Sequence, residues 1–546
     1  MSVVAVDRPT AVDRRDQPQP FAGLGNQLRF VARRDRVRAA VWIGSVVGVV
    51  WVSALSVLGL YSTPEDLATY AVVSQADAAF RAIAGPGYGL DDPTEGAVVM
   101  NETSLYTYVA VALMAVFLVT RHTRAEEDTG RAELVRAAPV GRLALLAAAS
   151  VWVTTISVSI GLGLTVALVA CGLPLTGSAA FGAASAATGI TFTGFAAVAA
   201  QLASTSRSAN SFGGIVLGVS FLIRAVGDIG TPWLSWCSPL GIAQAIRPYA
   251  DERWWVLAVL ALIAAGSFAG AVILLGRRDL GAGLIGQRPG PATAAPRLAT
   301  PLALAVRLQR PALVGWTVAM ALSGLAFGLV IDQADAFADN DAIADLIAQA
   351  GGGSISEQFL ALSVMILALV ASGFTVAAVL RLRSEEIAGR AEPIMATPTS
   401  RTRWWSSHTV VSLAASLLLL TVTGLGLGIG GAASTGRLDD VWPAITASLT
   451  MFAPLALVAA ITAFAVAVAP RLAPASWMVV AMAVVVGLLG DTLDLPQWLR
   501  NLSPFEHVPA LPAEDFAVTP LVVLSALAAA ALAAGAAAIR HRDIAA

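Results

Sequence analysis

Lysine is missing altogether from this 546-residue chain, whose 34 basic residues are all arginine. The absence excludes a class of activity: a Walker A loop needs a lysine to reach the terminal phosphates of ATP, so the chain cannot by itself be a conventional P-loop ATPase. Cysteine is nearly absent too, with only Cys171 and Cys237, and these match no metal or redox spacing. Charged residues make up 13% of the chain, against roughly 25% in an ordinary soluble domain. With a net charge of −2 and no aromatic-and-basic groove pattern, nothing points to nucleic acid as a partner.

What is present is apolar. Hydrophobic residues make up 57% of the chain and the mean hydropathy is +0.74, the composition of an integral membrane protein. A spanning helix needs about 20 apolar residues to cross roughly 30 Å of hydrocarbon. That measure predicts an all-α polytopic protein of twelve spans, at 39–61, 103–120, 143–170, 178–203, 211–226, 255–275, 312–331, 358–380, 404–430, 441–468, 475–490 and 518–538. The arginine-rich leader before the first span has no small-residue cleavage site, so no removable signal peptide is read there. Arginine also sets the orientation. With the leader inside, 28 arginines face inward, five (Arg81, Arg247, Arg253, Arg437, Arg500) face outward, and Arg224 lies within a span, where Asp228 at i+4 is its expected partner. Both termini are therefore expected in the cytoplasm. The outer segments are acidic, as in "DQADAFADNDAIADLIAQ" from residue 332. The bias toward arginine, alanine, glycine and valine fits a GC-rich bacterial genome and a bacterial cytoplasmic membrane.

The chain repeats itself. Residues 124–142, "RAEEDTGRAELVRAAPVGR", and 383–401, "RSEEIAGRAEPIMATPTSR", agree at ten of nineteen positions, where composition alone gives roughly two. "GDIGTPWLSWCSPL" from Gly227 and "GDTLDLPQWLRNLSPF" from Gly490 share Gly-Asp, Pro, Trp and Ser-Pro in order. Two tandem six-span halves follow, running parallel because an even number of spans separates the copies. The expected layout is a leader and amphipathic elbow helix at 1–38, a first half at 39–280, a linker and second elbow at 281–311, and a second half at 312–546. The elbows rest on Phe21, Leu24, Leu28 and Val31, and on Leu304 and Leu308, recurring at helical spacing beside arginines. Cys171 and Cys237 both map to the outer face of the first half, more simply as free thiols than as a disulfide.

The repeated paragraph falls on the inner face, between the second and third spans of each half. In the first copy Glu126, Glu127, Gly130, Arg131 and Glu133 precede Pro139, which predicts a short helix closed by the proline. In the second, Pro393 interrupts the stretch and Ile387 stands where Asp128 does. No nucleophile, histidine or metal-ligand spacing accompanies the acids, so catalysis is not read here. The pattern E-E-x-x-G-R-A-E-x-x-x-A-x-P-x-x-R resembles the coupling-helix signature of ATP-binding-cassette permeases of the second exporter type. The whole chain, with "LQRPALVGW" opening the second half and "IRPYADERWW" before the sixth span, looks like the tetronasin-type polyketide-antibiotic and multidrug exporter permeases of high-GC Gram-positive bacteria. The resemblance implies that Glu126, Glu127, Gly130, Arg131, Glu133, Pro139 and Arg142 dock one copy of a soluble nucleotide-binding ATPase subunit. Glu385, Glu386, Gly389, Arg390, Glu392, Pro398 and Arg401 dock a second copy, at a site not equivalent to the first. ATP and Mg2+ then belong to the partner subunits; this chain is expected to carry no cofactor or metal and not to be an enzyme on its own.

The resemblance further implies an exporter of amphiphilic drugs, antibiotics or lipid-like compounds, with a path lined by the second and fifth spans of each half. In the first half these offer Tyr106, Tyr108, Met114 and Phe117 with Phe212 and Phe221; in the second, Met365 and Phe374 with Trp477, Met478 and Met482. Such side chains give an adaptable apolar lining. Two other readings stay open: an ion-coupled secondary transporter, which normally carries ionisable groups near the midplane, and an envelope-assembly or receptor scaffold whose outer segments 62–102 and 332–357 bind a partner.

Overall fold

A computed structural model describes residues 19–543 apart from 62, 77–80, 82–83, 280, 287–289, 291, 332–353 and 490–494. The acidic stretch from 332 and the Gly-Asp at 490 and 491 thus lie outside the described residues. The chain forms two units, residues 1–290 and 291–546.

The first unit runs α1 (Leu24–Leu60), α2 (Pro64–Ala76), α3 (Glu95–His122), α4 (Arg124–Asp128), α5 (Arg131–Arg136), α6 (Ala144–Ala170), α7 (Leu175–Leu202), α8 (Ser206–Gly230), α9 (Pro232–Ser235), α10 (Pro239–Gln244) and α11 (Val256–Gly276). The second runs α12 (Pro301–Leu329), α13 (Ile355–Ile387), α14 (Ala391–Met395), α15 (Arg401–Thr435), α16 (Val441–Thr450), α17 (Phe452–Val468), α18 (Ser476–Leu489), α19 (Gln497–Arg500) and α20 (Val518–His541). No strand occurs among the described residues. The protein is an all-helical, multi-pass membrane protein.

Eleven helical segments among the described residues are long and apolar enough to cross a membrane, α16 and α17 together (Val441–Val468) counting as one. The twelfth expected span, 475–490, is α18, apolar but of 14 residues. At 1.5 Å per residue these cover about 21 Å, and residues 490–494, which follow, lie outside the described ones. The span expected at 441–468 is divided at Met451, because Pro454 has no N–H for the carbonyl of residue 450.

Neither elbow is a helix apart from the span it precedes: α1 is unbroken over 37 residues and α12 over 29, Pro311 included. The reason is a single buried stripe. Val31, Asp35, Ala39, Val46, Val50, Ala54 and Val57 are all buried along α1, so the three-to-four-residue spacing taken for an interfacial face continues without a phase change into the span. Several helix starts lie upstream of the expected edges because polar caps hold them: Thr94 accepts from Ala97 N–H before α3, Ser354 and Glu357 form a capping box at α13, and Thr300 with Pro301 opens α12.

In the first unit α3 supplies more of the buried apolar core than any other helix, with Tyr108, Val111 and Met114 fully buried as are Phe181 and Phe192 on α7. In the second, α12 and α15 make the closest helix pair. A Cβ added at Gly328 would lie 2.3 Å from Leu427 O, and one at Gly430 would lie 2.4 Å from Leu325 O. Lipid removes the hydrophobic drive between helices, so backbone-to-backbone contact through glycine supplies the packing instead. Gly328→Leu is therefore expected to lower the stability of the detergent-solubilised protein by about 1–3 kcal/mol or more. Gly315→Leu on the same helix, where nothing lies within 4 Å, should leave the unfolding midpoint unchanged.

Candidate functional site

The duplicated paragraph does not fold as one helix closed by a proline. Gly130 and Gly389 take left-handed conformations, φ +71° and +67°, which only glycine adopts at little cost. In the first copy this breaks the stretch into α4 and α5. In the second, the acidic pair rides on the end of α13, and α14 follows the glycine. The reversal folds the next arginine back onto the first glutamate. Arg390 Nε donates to Glu385 Oε2 at 2.7 Å and Nη2 to Oε1 at 3.0 Å, and Arg131 Nη1 lies 3.9 Å from Glu126 Oε1. The bond to Glu385 pushes the Arg390 guanidinium above its ordinary pKa. Pro393 does not disrupt α14: it sits in the first turn, where its missing N–H has no intrahelical partner to lose.

The acidic pairs, expected to face a partner, are turned inward. Glu127 is clamped by two arginines: Arg278 gives Nη2 to Oε1 at 2.5 Å and Nη1 to Oε2 at 2.8 Å, and Arg124 gives Nη1 to Oε2 at 2.7 Å. The side chains of Glu127, Arg278 and Arg124 are 9%, 3% and 0% exposed, so each depends on the others for neutralisation. Glu386, the counterpart of Glu127, pairs with Arg542. Glu126 binds Arg34 of α1 at 2.5 Å, whereas Glu385 turns to Arg381 and Arg390.

Arg142 and Arg401, also expected at the partner surface, cap the last helix of their own halves. Arg142 Nη2 donates to the carbonyls of Leu275, Gly276 and Arg278; Arg401 donates to Arg540 O at 3.2 Å and lies 3.3 Å from Asp543. A guanidinium is well placed on the carbonyl end of a helix. The sequence reading passed over Arg278 and Arg542, although "RDL" at 278–280 and "RDI" at 542–544 repeat at the end of each half.

The exposed part of the two paragraphs is a mixed surface. Arg131 (57% exposed) and Glu133 flank Leu134, which is 77% exposed, with Pro139 beyond. In the second copy Arg390 and Glu392 flank Gly389 and Pro393 beside Ile387, which is 68% exposed, with Pro398 beyond.

The expected path residues divide by burial. Tyr108 and Met114 are fully buried in the first-unit core, Tyr108 tilted on Phe181 at 5.9 Å, and Phe374 is buried against Trp316 at 5.7 Å. These three are packing residues with no face left for a substrate. Tyr106, Phe117, Trp477 and Met478 are exposed, while Phe212, Phe221, Met365 and Met482 are half-buried. Met365 borders a cavity of about 490 Å³ that also meets Gly487, Phe505 and Glu506. Arg224 does pair with Asp228, at 3.0 Å, but is buried rather than reaching for solvent, with Phe221 under its guanidinium. Cys171 and Cys237 are free thiols.

The clamp on Glu127 fixes an order of severity. Glu127→Gln leaves Arg124 and Arg278 facing each other without their shared anion, so it should destabilise the protein by about 3–5 kcal/mol. Arg278→Gln still leaves Glu127 with Arg124 and should cost less. Glu126→Gln, on a pair open to solvent at Arg34, should cost about 1 kcal/mol or less. Thermal unfolding in detergent measures all three.

A protein-family profile described as the multidrug efflux system permease Rv1217c, C-terminal domain, matches residues 298–540. Over its whole length the chain is similar to the multidrug efflux system permease protein Rv1217c of Mycobacterium tuberculosis, 38% identical over 550 residues and covering 100% of each chain. With end-to-end similarity at that identity, carried by a bundle of membrane-crossing helices, the chain belongs to the multidrug efflux system permease family.

Proposed function

We propose that this protein is the permease of an ATP-driven exporter of the ATP-binding-cassette type-2 class, moving amphiphilic drugs, antibiotics or lipid-like compounds outward across a bacterial cytoplasmic membrane. Two copies of a soluble nucleotide-binding subunit, holding ATP and Mg2+, dock beneath the two halves. The observation that carries this reading is the duplicated loop, which in each half exposes an Arg-Ala-Glu turn and an apolar residue, Leu134 after the turn in the first and Ile387 before it in the second. A surface-exposed leucine or isoleucine ringed by both signs of charge suits a partner groove with an apolar floor and charged walls. The missing lysine supports a separate ATPase, and the named relative supports drug efflux as the task.

In this reading the docking contacts are Arg131, Glu133, Leu134 and Pro139, with Ile387, Arg390, Glu392 and Pro398. Glu126, Glu127, Glu385 and Glu386, with Arg142 and Arg401, instead stiffen the loops from behind. Both termini lie in the cytoplasm. ATP-driven closure of the partners pushes on the loops and shifts the two halves between inward and outward access. A shift from 1:99 to 99:1 takes about 5.5 kcal/mol, which a slack loop could not transmit.

The decisive experiment follows export of a fluorescent amphiphilic dye from cells while ATP is depleted and the proton gradient is clamped. Export should collapse, and its persistence would sink the ATP-driven reading. The docking surface is checked with Leu134→Arg and Ile387→Arg, each expected to weaken co-purification of the ATPase subunit at least tenfold without moving the unfolding midpoint.

A further inference from the structure

The two loops differ in most of their attachments yet share one. In the first half the loop region is tied to α1 through Glu126 and Arg34, and to the linker through Arg124, which donates to Gly281 O and Ala282 O at 2.9 and 3.1 Å. Among the described residues neither tie has a counterpart in the second half, where Glu385 is satisfied within its own loop by Arg381 and Arg390. What recurs is the connection to the last helix. It is made twice in each half: by an arginine just past that helix onto the second glutamate of the pair, Arg278 on Glu127 and Arg542 on Glu386, and by the arginine closing the paragraph onto the helix's final carbonyls. Arg278 and Arg542 are not part of the duplicated paragraph. They come from the far end of each half, at an offset of 264 rather than 259.

We propose that Arg278 and Arg542 are positioning residues that latch each loop to the sixth span of its half, so that a push on the loop is delivered to α11 and α20 as rigid-body motion. The inference rests on the docking role proposed above. The latch is suited to the task because it is forked, buried at Arg278 and partly buried at Arg542. Arg278 donates to both oxygens of Glu127, and through Nε to Gln201 Oε1 at 2.7 Å, at the end of α7. Arg542 likewise reaches Val466 O, near the end of α17, as well as Glu386. Each arginine thus fixes the loop, the fourth-span helix end and the sixth-span helix end against one another. A single-point ion pair would allow the loop to swing; a planar fork with two or three anchored acceptors does not.

The test uses the full permease with its ATPase subunits in lipid vesicles, in a background of Cys171→Ala and Cys237→Ala. Glu127→Cys and Arg278→Cys are introduced together and then bridged with a short bifunctional thiol reagent. Unbridged, the complex should still hydrolyse ATP while rhodamine 6G exported per ATP falls at least tenfold. Bridged, export per ATP should return to within about twofold of the background protein. A bridged complex that stays uncoupled would overturn the proposal, because locking the loop to the sixth span would then be harmful or irrelevant, and so would an unbridged pair that exports normally. Should the cysteine pair not assemble, Arg278→Lys carries the test: it keeps the charge and loses the fork, so ATP turnover should persist with reduced export per ATP, and wild-type coupling would refute the latch. If the wild-type complex exports without turning over ATP, the energy source has been misread. The latch is then judged on export rate alone, with and without the bridge.

Discussion

A carboxylate held under a membrane-embedded bundle cannot be left alone. Burying Glu127 at 9% exposure without a partner would cost several kcal/mol, and Arg124 and Arg278, buried beside it, would face the same penalty. The three charges therefore have to meet, although two sit on α4 and the third comes from just beyond the sixth span, about 150 residues later. That requirement fixes where α4 lies, where α11 stops, and how the chain from Gly281 onward leaves the bundle, since Arg124 also holds the carbonyls of Gly281 and Ala282. The same constraint acts between Glu386 and Arg542, so the architecture of the loop is repeated by electrostatic necessity and not by helix propensity alone.

The halves use that constraint differently. The first half surrounds its loop with further ties. Gly141 N–H donates to Ala22 O and Leu143 N–H to Pro20 O, so the loop's exit runs against the segment leading into α1. Nearby, Asp35 on α1 is buried among His122, Arg121 and Arg38. In the second half Gln309 is buried on α12, its Nε2 donating to Ala378 O. A buried aspartate demands cations from several elements, whereas a neutral glutamine demands none. The second loop thus depends more heavily on its own arginines and on Arg542. Any nonequivalence of the two sides follows from these attachments and not from Pro393, which the first turn of α14 accommodates.

Much of this was legible in the sequence. Apolar runs located the helices, and the repeat located the loops, because both signals are local and strong. The caps at Thr94 and Ser354, which lengthen α3 and α13, were readable as well, but a hydropathy window hides them. The direction in which the acids face was not legible. "EExxGR" reads equally well as a surface motif or as a braced corner, and the difference is made by Arg278 and Arg542, more than 150 residues away in the chain. Nor did residue type separate Tyr108, Met114 and Phe374, which pack the cores, from Tyr106 and Phe117, which do not: a helix carrying aromatic residues on several faces gives no phase by which to tell them apart.

The missing lysine has a second meaning beside the exclusion of a conventional P-loop. Each of these ties asks one side chain to engage several acceptors at fixed angles: two oxygens of Glu127 with one of Gln201, or the carbonyls of Leu275 and Gly276 at the end of α11 with that of Arg278 just beyond it. A lysine ammonium on its flexible stem could neutralise Glu127 but could not hold its orientation, and it would lose more rotamer freedom for each bond made. If the loops pass motion on as proposed, stiffness matters as much as charge. The bias to arginine, whatever its origin in base composition, supplies the side chain from which a stiff joint at the membrane edge can be built.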